Sequence, residues 1–299
     1  MFGLIPSDLE LITYSEGGLS RFMPELPEVE LISRSLDVLV RGRKITSAEL
    51  FRQRLAPDIS PPDFSDKLRE AEINRVTRRG KHILFDLSNG NTLIVHLRMS
   101  GRFSLLTAET DNPKFTHAVF NLLGDDRLVF DDQRHFGLMK IVRTSELYDA
   151  KELKKLAPEP FSDDFSVEYL RENLASSKRT LKEFLIDQTK VCGLGNIYAC
   201  EAMFAAGVDP RKRADKITKK RIALLHESIR SVLRTAIDHA GNRQVDPANL
   251  EGNYFSGTNA AGWHVYDREN ESCLDCETPI VRLKQAGRST YYCRLCQRS

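Results

Sequence analysis

The chain has 299 residues, of which 41% are hydrophobic and 29% are charged, and its formal net charge is +2. This length accommodates two domains and a small additional unit. No run approaches the roughly 18 apolar residues of a membrane span, so we expect no membrane partner. Basic residues cluster at 75–82, at 211–221 and in the last 18 residues. Such clusters are more often solvated faces, but three of them favour a polyanionic partner.

The first 22 residues have neither the basic start nor the long apolar core of a secretory signal. They precede the octapeptide Met-Pro-Glu-Leu-Pro-Glu-Val-Glu, which begins at Met23. A chain that starts at Met23 and loses that methionine exposes a free secondary amine on Pro24, whereas Pro24 inside a peptide bond has no N–H. We therefore expect residues 1–22 to be a leader that the working protein lacks or leaves disordered.

The octapeptide opens a predicted helix whose apolar residues recur at helical spacing as far as Val40, with Gly42 as its stop. From residue 44 to about residue 142 the pattern is strand-like. Turn residues at 88–91 and 124–126 predict two hairpins. The sequence therefore predicts one β-rich domain with a helix at its N-terminal edge.

Beyond the proline-punctuated linker around Pro158 and Pro160, the pattern becomes helical. We predict helices over 167–174, 181–189, 196–206 and 217–239. Residues 241–262 are polar and rich in Gly and Asn, and we predict a mobile loop there.

Four cysteines near the C-terminus follow the spacing Cys-x2-Cys-x16-Cys-x2-Cys; they are Cys273, Cys276, Cys293 and Cys296. This spacing predicts one structural Zn²⁺, because two knuckles of two thiolates complete a tetrahedral shell. Unrelated thiols are the alternative. Between the knuckles, 280–283 and 289–292 predict a hairpin that holds Arg288 rigid. The other two cysteines, Cys192 and Cys200, lie among apolar residues and are interpreted as buried thiols in a reducing compartment.

A glycine-rich turn, Cys192-Gly-Leu-Gly195-Asn196, separates two predicted helices. Asn196 is predicted to be the N-cap of the second helix, and exposed amides at a helix N-terminus bind phosphate. About half of such turns merely join helices. Basic neighbours such as Lys182 and Lys190 favour nucleic acid.

A free amine on Pro24 has a definite chemistry. An α-amine titrates near 8, against about 10.4 for lysine, and a secondary amine that attacks a sugar C1′ gives a cationic iminium. Glu25 is placed to act as a general acid, and Lys81 to contact phosphate or to move protons. The alternative, which the residues alone favour, is that Glu25 and Glu28 only complement a helix dipole.

Six motifs together resemble the bacterial formamidopyrimidine-DNA glycosylase (Fpg/MutM) family, and they span residues 23–297 in the family's order. They are the octapeptide, Arg-Arg-Gly-Lys, His-Leu-Arg-Met-Ser-Gly, Pro-Glu-Pro, Gly-Leu-Gly-Asn-Ile-Tyr and Gln-Ala-Gly-Arg-Ser-Thr. The resemblance implies an α+β multidomain fold. Its parts would be an N-terminal β-sandwich with flanking helices (23–150), a helical helix-two-turn-helix domain (151–262) and a Cys₄ zinc-finger β-hairpin (263–299).

The resemblance also implies a base-excision-repair enzyme that flips an oxidised purine out of damaged double-stranded DNA, removes it and cleaves the strand by β,δ-elimination. Pro24 would be the Schiff-base nucleophile and Glu25 the proton donor for base excision. Lys81 would be a catalytic, phosphate-binding residue, and Arg288 the proton donor or phosphate clamp of elimination. Such a protein is expected to be a cytoplasmic, nucleoid-associated monomer.

The DNA contacts implied by the resemblance form a second set. Asn196 would hold the phosphates beside the lesion. Met99, Arg134 and Phe136 look like the family's wedge, which fills the vacated stack, with Arg134 facing the orphaned cytosine. His117 and Lys182 complete the set of expected DNA-binding residues.

Two departures leave alternatives open. Residues 241–266 match the family poorly in the loop that caps the flipped base in its members, so the lesion preference is open. Leu26 and the wedge residues favour oxidised purines over the oxidised pyrimidines of the endonuclease VIII branch. If residues 1–22 are retained, the chain is instead a catalytically silent protein that binds lesions.

Overall fold

The computed structural model describes residues 23–241, Pro247 and residues 262–298. The expected leader and most of the expected mobile loop lie outside these described residues. The helices are α1 (Leu26–Val40), α2 (Pro61–Leu68), α3 (Val167–Ala175), α4 (Leu181–Leu185), α5 (Asn196–Ala205) and α6 (Lys219–Gly241). The strands are β1 (Ile45–Leu50), β2 (Ile73–Arg79), β3 (His82–Leu87), β4 (Asn91–His96), β5 (Gly101–Leu106), β6 (Thr116–Leu122), β7 (Arg127–Asp132), β8 (Leu138–Arg143), β9 (Val281–Gln285) and β10 (Arg288–Tyr292).

Helix α1 begins as the octapeptide predicts. The backbone N–H of Glu25 donates to Glu28 Oε2 at 2.9 Å, and Pro27 occupies the first turn, where its missing N–H is not needed. The helix ends at Val40, and Gly42 follows with a φ of +74°. Its apolar side is buried against β2 and α6, which ties the N-terminal segment to both large units of the protein.

Two four-stranded antiparallel sheets form the N-terminal β-sandwich. Their strand orders are β1-β6-β7-β5 and β2-β3-β4-β8. Both predicted hairpins are confirmed, as β3–β4 and as β6–β7. Large apolar side chains from both sheets fill the space between them, among them Phe85, Phe103, Phe120 and Phe130.

Two differences from the predicted helices bear on the site. The predicted helix over 181–189 is α4 and ends at Leu185, because the side chain of Asp187 accepts the N–H of Thr189 and closes a turn. Helix α5 has Gly195 as its N-cap instead of Asn196, whose side chain is used elsewhere. In the described part of the chain, no helix is both long and apolar enough to cross a membrane.

The C-terminal unit is the predicted hairpin, in which Arg288 of β10 pairs with Gln285 of β9. It is attached to the helical unit by side-chain amides. Gln297 Nε2 donates to the carbonyl of Val208 at 3.0 Å, and Gln285 Nε2 donates to the carbonyl of Pro210 at 3.3 Å. The hairpin therefore sits at a fixed place beside α5.

Candidate active site

A cleft of about 400 Å³ lies where the start of α1, the N-terminus of α5 and the hairpin of β9 and β10 meet. This hairpin, which carries the four predicted metal ligands at its base, is called the zinc hairpin below. Residues from distant parts of the sequence line it, including Met23, Glu25, Lys81, Met99, Asn196 and Arg288. Pro24 is buried between Met23 and Glu25. The cleft is thus lined by three of the four residues expected to be catalytic and by two of those expected to bind DNA, while Pro24 lies buried between two of its lining residues.

The carboxylate of Glu25 is fixed at the floor of this cleft by the N-terminus of α5. Glu25 is 3% exposed and accepts hydrogen bonds from the backbone N–H groups of Gly195 at 2.7 Å and Ile197 at 2.8 Å. These amides otherwise lack partners at a helix start and carry the positive end of the helix dipole. The glycine-rich turn therefore holds a protein carboxylate as well as facing the cleft.

Gly195 is necessary for this arrangement because no side chain fits there. A Cβ at residue 195 would lie 2.3 Å from Glu25 Cδ and 2.6 Å from Lys81 Nζ. The ammonium and the carboxylate therefore both lie directly over this glycine. Burial lowers the pKa of Lys81; Glu25 opposes this shift, and the positive charge of Arg288 adds to it.

The turn that carries Lys81 is attached to the interdomain linker through Glu159, a residue that our sequence reasoning missed. Glu159 Oε1 accepts the N–H of Gly80 at 2.6 Å. The guanidinium groups of Arg78 and Arg79 donate to the same carboxylate at 2.7 and 2.9 Å. The sequence feature that could have indicated this role is the position of Glu159 between two prolines in the linker. This network sets the position of Lys81 relative to Glu25.

His96, at the end of β4, is a second residue that the sequence reasoning missed. It lines the cleft, and its Nδ1 accepts the backbone N–H of Arg98 at 3.0 Å. Burial, with the nearby charges of His82, Arg98 and Lys81, lowers the pKa of His96 well below its usual value. The ring is therefore neutral, and since Nδ1 is an acceptor, its proton is on Nε2. The histidine that begins the His-Leu-Arg-Met motif was the signal.

Asn196 and the zinc hairpin form the opposite wall. Asn196 Nδ2 donates to the carbonyl of Ser289 at 2.9 Å, and among the described residues its buried Oδ1 has no partner. Arg288 is exposed at the first position of β10. Tyr266 also lines this wall, and burial raises its pKa to about 12, so it keeps its proton. The carboxylate of Glu201 accepts the N–H of Tyr266 at 2.9 Å and holds that segment against α5.

Of the three expected wedge residues, Met99 lines the cleft, whereas Arg134 and Phe136 lie on the loop that follows β7. Met99 is half-buried, and Phe136 is 45% exposed. The guanidinium carbon of Arg134 lies 5.3 Å from the centre of the Phe136 ring. A flexible apolar side chain, and an exposed aromatic ring packed against a cation, are the side chains that an intercalating wedge needs.

Two residues expected to contact DNA are largely buried. Lys182 is 1% exposed, and its ammonium donates to the carbonyl of Asn196 and to Cys200 Sγ, both at 2.9 Å. His117 is 3% exposed, and its Nε2 lies 2.8 Å from Nδ1 of His135. In this structure both side chains are engaged with other residues of the protein, and their contact with DNA stays a prediction.

The four predicted metal ligands converge at the base of the hairpin. The sulfur atoms of Cys273, Cys276, Cys293 and Cys296 lie within 4.8 Å of one another. Individual Sγ–Sγ distances are 3.4 Å for Cys276–Cys293 and 3.9 Å for Cys273–Cys296. Thiolates about 2.3 Å from one tetrahedral Zn²⁺ are about 3.8 Å apart, so the set fits a structural zinc. Cys192 and Cys200 are fully buried, as expected.

Three family models match consecutive parts of the chain. The formamidopyrimidine-DNA glycosylase N-terminal domain matches residues 23–139, and the formamidopyrimidine-DNA glycosylase H2TH domain matches residues 156–246. The zinc finger found in FPG and IleRS matches residues 270–298. The matches follow the β-sandwich, the helical unit and the zinc hairpin in order.

Individual proteins are similar over the same span. The formamidopyrimidine-DNA glycosylase of Desulforamulus reducens is 40% identical over 278 residues, covering 93% of this chain and 100% of the relative. That of Bacillus subtilis is 37% identical, covering 92% and 99%. The Lactococcus lactis Fpg bound to DNA with an abasic site superposes with a TM-score of 0.84 at 33% identity, covering 92% of this chain and 100% of that one. The chain belongs to the formamidopyrimidine-DNA glycosylase family of DNA-repair enzymes.

Proposed function

We propose that this protein excises formamidopyrimidine and 8-oxoguanine bases from damaged double-stranded DNA and then cleaves the strand at the abasic site. One observation carries the proposal: Glu25, Lys81, Asn196 and Arg288 surround a single cleft next to Pro24. A carboxylate, a buried amine, an amide and a guanidinium are the groups that sugar opening and phosphate elimination require.

In the proposed base-excision step, the free secondary amine of Pro24 attacks C1′ of the flipped nucleotide. The glycosidic bond breaks, the base leaves with the bonding electron pair, and it takes up the proton that the Pro24 nitrogen loses. Glu25 protonates the sugar ring oxygen, the ring opens and a cationic iminium forms between Pro24 and C1′. The amides of Gly195 and Ile197 keep the Glu25 carboxyl group in position for this transfer.

In the proposed strand-cleavage steps, the iminium accepts the electrons that are released when a C2′ proton is removed. The 3′ phosphate and then the 5′ phosphate leave by β- and δ-elimination. Arg288 and the proton on His96 Nε2 face the space where these phosphates would lie, and the uncharged Asn196 amide completes the cradle. Lys81, with its lowered pKa, is suited to accept or return protons close to the iminium.

The wedge residues are proposed to fill the stack from which the lesion is extruded. Met99 and Phe136 would insert between bases, and Arg134 would donate hydrogen bonds to the orphaned base. Solved complexes of the Lactococcus lactis Fpg contain a Fapy-dG lesion in one case and an oxidised pyrimidine in another. Excision should therefore be measured on duplexes that contain lesions of both classes. Preferential excision of oxidised pyrimidines would show that the proposed preference for purines is wrong.

Borohydride trapping tests the chemistry, because hydride reduces the iminium to a stable amine. Purified protein is incubated with 8-oxoguanine duplex and borohydride, and its intact mass is measured in parallel. We expect a covalent complex, a chain that begins at Pro24, and a Pro24→Gly variant that gives less adduct than wild type. The alternative, a lesion-binding protein whose Pro24 nitrogen is an amide, predicts a mass that includes residues 1–22, tight lesion binding and no adduct.

A further inference from the structure

The two wedge segments emerge from adjacent strands of the same sheet. Strands β5 and β7 are antiparallel neighbours, and Gly101 at the start of β5 is paired with Asp132 at the end of β7. The segment that carries Met99 precedes β5, and the loop at 133–137 follows β7. Since the strands are antiparallel, both segments leave the sheet at the same end.

A buried carboxylate connects these segments. Asp132 is 0% exposed, and its Oδ2 accepts the N–H of Gly137 at 2.6 Å. The hydroxyl of Ser100 donates to Asp132 Oδ1 and accepts the N–H of Arg134 at 2.9 Å. The N–H of Arg134 also approaches Asp132 Oδ1 at 3.2 Å. The carboxylate and the hydroxyl thus bond to each other and to both ends of the 133–137 loop.

A shared apolar support lies below this hydrogen-bonded group. A Cβ at Gly101 would lie 2.7 Å from the Phe130 ring, and a Cβ at Gly137 would lie 2.8 Å from it. Both glycines therefore pack directly on one buried ring. If either segment moved alone, the buried carboxylate would lose at least one of its hydrogen bonds and a gap would open over Phe130.

We propose that Asp132 is a positioning residue that joins the Met99 segment and the Arg134–Phe136 loop into one rigid insert. Stack filling by Met99 and readout of the orphaned base by Arg134 then take place as one event. This inference rests on the proposed wedge function. It gives a role to a fully buried carboxylate at the end of β7, next to a loop that carries no catalytic group.

Double-mutant cycles on the protein that forms the borohydride adduct test the coupling. We measure kcat/KM for excision of 8-oxoguanine for Met99→Ala, Phe136→Ala and the double variant, with and without Asp132→Asn. Asparagine keeps the shape but replaces one acceptor oxygen with an NH₂ group, which cannot accept from Gly137 or Ser100. In the wild-type background we expect non-additivity of about tenfold; with Asp132→Asn, the two effects should multiply independently.

Opposite-base selectivity provides a readout that a merely structural role would not change. The ratio of kcat/KM for lesions opposite cytosine and opposite adenine should fall toward one in Asp132→Asn. The matched control is Asp131→Asn, which alters an adjacent carboxylate of similar burial that pairs with Arg102 instead. That control should keep both the coupling and the selectivity.

Ser100 supplies a second, milder test if Asp132→Asn folds poorly. Ser100→Ala should reduce the coupling, and Ser100→Thr, which keeps the hydroxyl, should restore it. Coupling that persists in both Asp132→Asn and Ser100→Ala, or additive effects in the wild-type background, would overturn the inference. A wild-type protein that excises no lesion would instead overturn the proposed function, so the two failures are distinguishable.

Discussion

The carboxylate of Glu25 accepts the backbone N–H of Ile197 at 2.8 Å, a contact between residues 172 positions apart. Through it, the start of α1 in the β-sandwich is held by the first turn of α5 in the helical unit. The same carboxylate accepts the N–H of Gly195. A single side chain is therefore both the expected acid and a link between the two large units.

Replacing this carboxyl group should separate the two chemical steps. We expect Glu25→Gln to slow base excision by about 10²- to 10⁴-fold, since the amide cannot protonate the sugar. Borohydride trapping on DNA with a preformed abasic site should be less affected, because Pro24 remains. Glu49→Gln, an exposed carboxylate on β1, is the control. Equal loss of both activities would show that the residue acts mainly by linking the units.

Adding a methyl group at residue 195 should abolish the activity of the cleft without straining the backbone. The φ of Gly195 is −127°, which any residue adopts, so Gly195→Ala tests only the clash with Glu25 and Lys81. We expect loss of excision and of Schiff-base trapping, with the melting temperature only moderately lowered. Gly42→Ala is the complementary control, because it has a φ of +74° and no neighbour within 4 Å. Normal trapping by Gly195→Ala would contradict the described geometry.

Elements with local signals could be predicted from the sequence. The zinc ligands and the hairpins depend on spacing and turn residues, and α1 depends on its apolar period and proline start. Glu159 and His96 could not be predicted without the resemblance, because their roles arise from contacts across the domain junction. The burial of Lys182 and His117 could not be predicted either, because their residue types indicate charge or hydrogen bonding but not burial.

Salt dependence should distinguish a residue that contacts phosphate from one that supports it. A side chain that neutralises one phosphate contributes about 0.9 to the slope of log K against log salt. Arg288→Ala, at an exposed site, should weaken DNA binding and make the slope shallower by about that amount. Lys182→Met should weaken binding with little change of slope, since the ammonium is buried on Asn196 and Cys200. DNA-binding titrations at four salt concentrations measure both the affinity and the slope. A shallower slope for Lys182→Met would show that Lys182 contacts a phosphate directly.

Zinc should be required for DNA binding but not for the β-sandwich. Removing the metal with a chelator frees four thiolates whose shared ion holds the hairpin, and with it Arg288. We expect loss of binding to abasic-site duplex and release of one zinc, measured with a colorimetric chelator. The far-ultraviolet circular dichroism spectrum, which reports the sheets, should change little. Arg288→Ala should keep its zinc. Full binding by the metal-free protein would show that the hairpin is held by its contacts with Val208 and Pro210 alone.

Glu28 should make stability depend on pH. Burial raises its pKa to about 7, while the hydroxyl of Tyr198, 2.6 Å from Oε1, partly opposes the shift. Because this folded-state pKa lies above the unfolded value of 4.5, the folded protein holds the proton more tightly. Its stabilising contribution is complete below about pH 4.5 and is lost as pH rises through about 7.

Glu28→Gln should remove this dependence, because an amide resembles the protonated acid. Relative to wild type, the variant should gain up to about 3 kcal/mol between pH 5 and pH 8. Urea unfolding at both pH values measures the difference, and Glu30→Gln on the same helix is the control. A gain that is the same at both pH values would mean that the folded protein does not hold this proton.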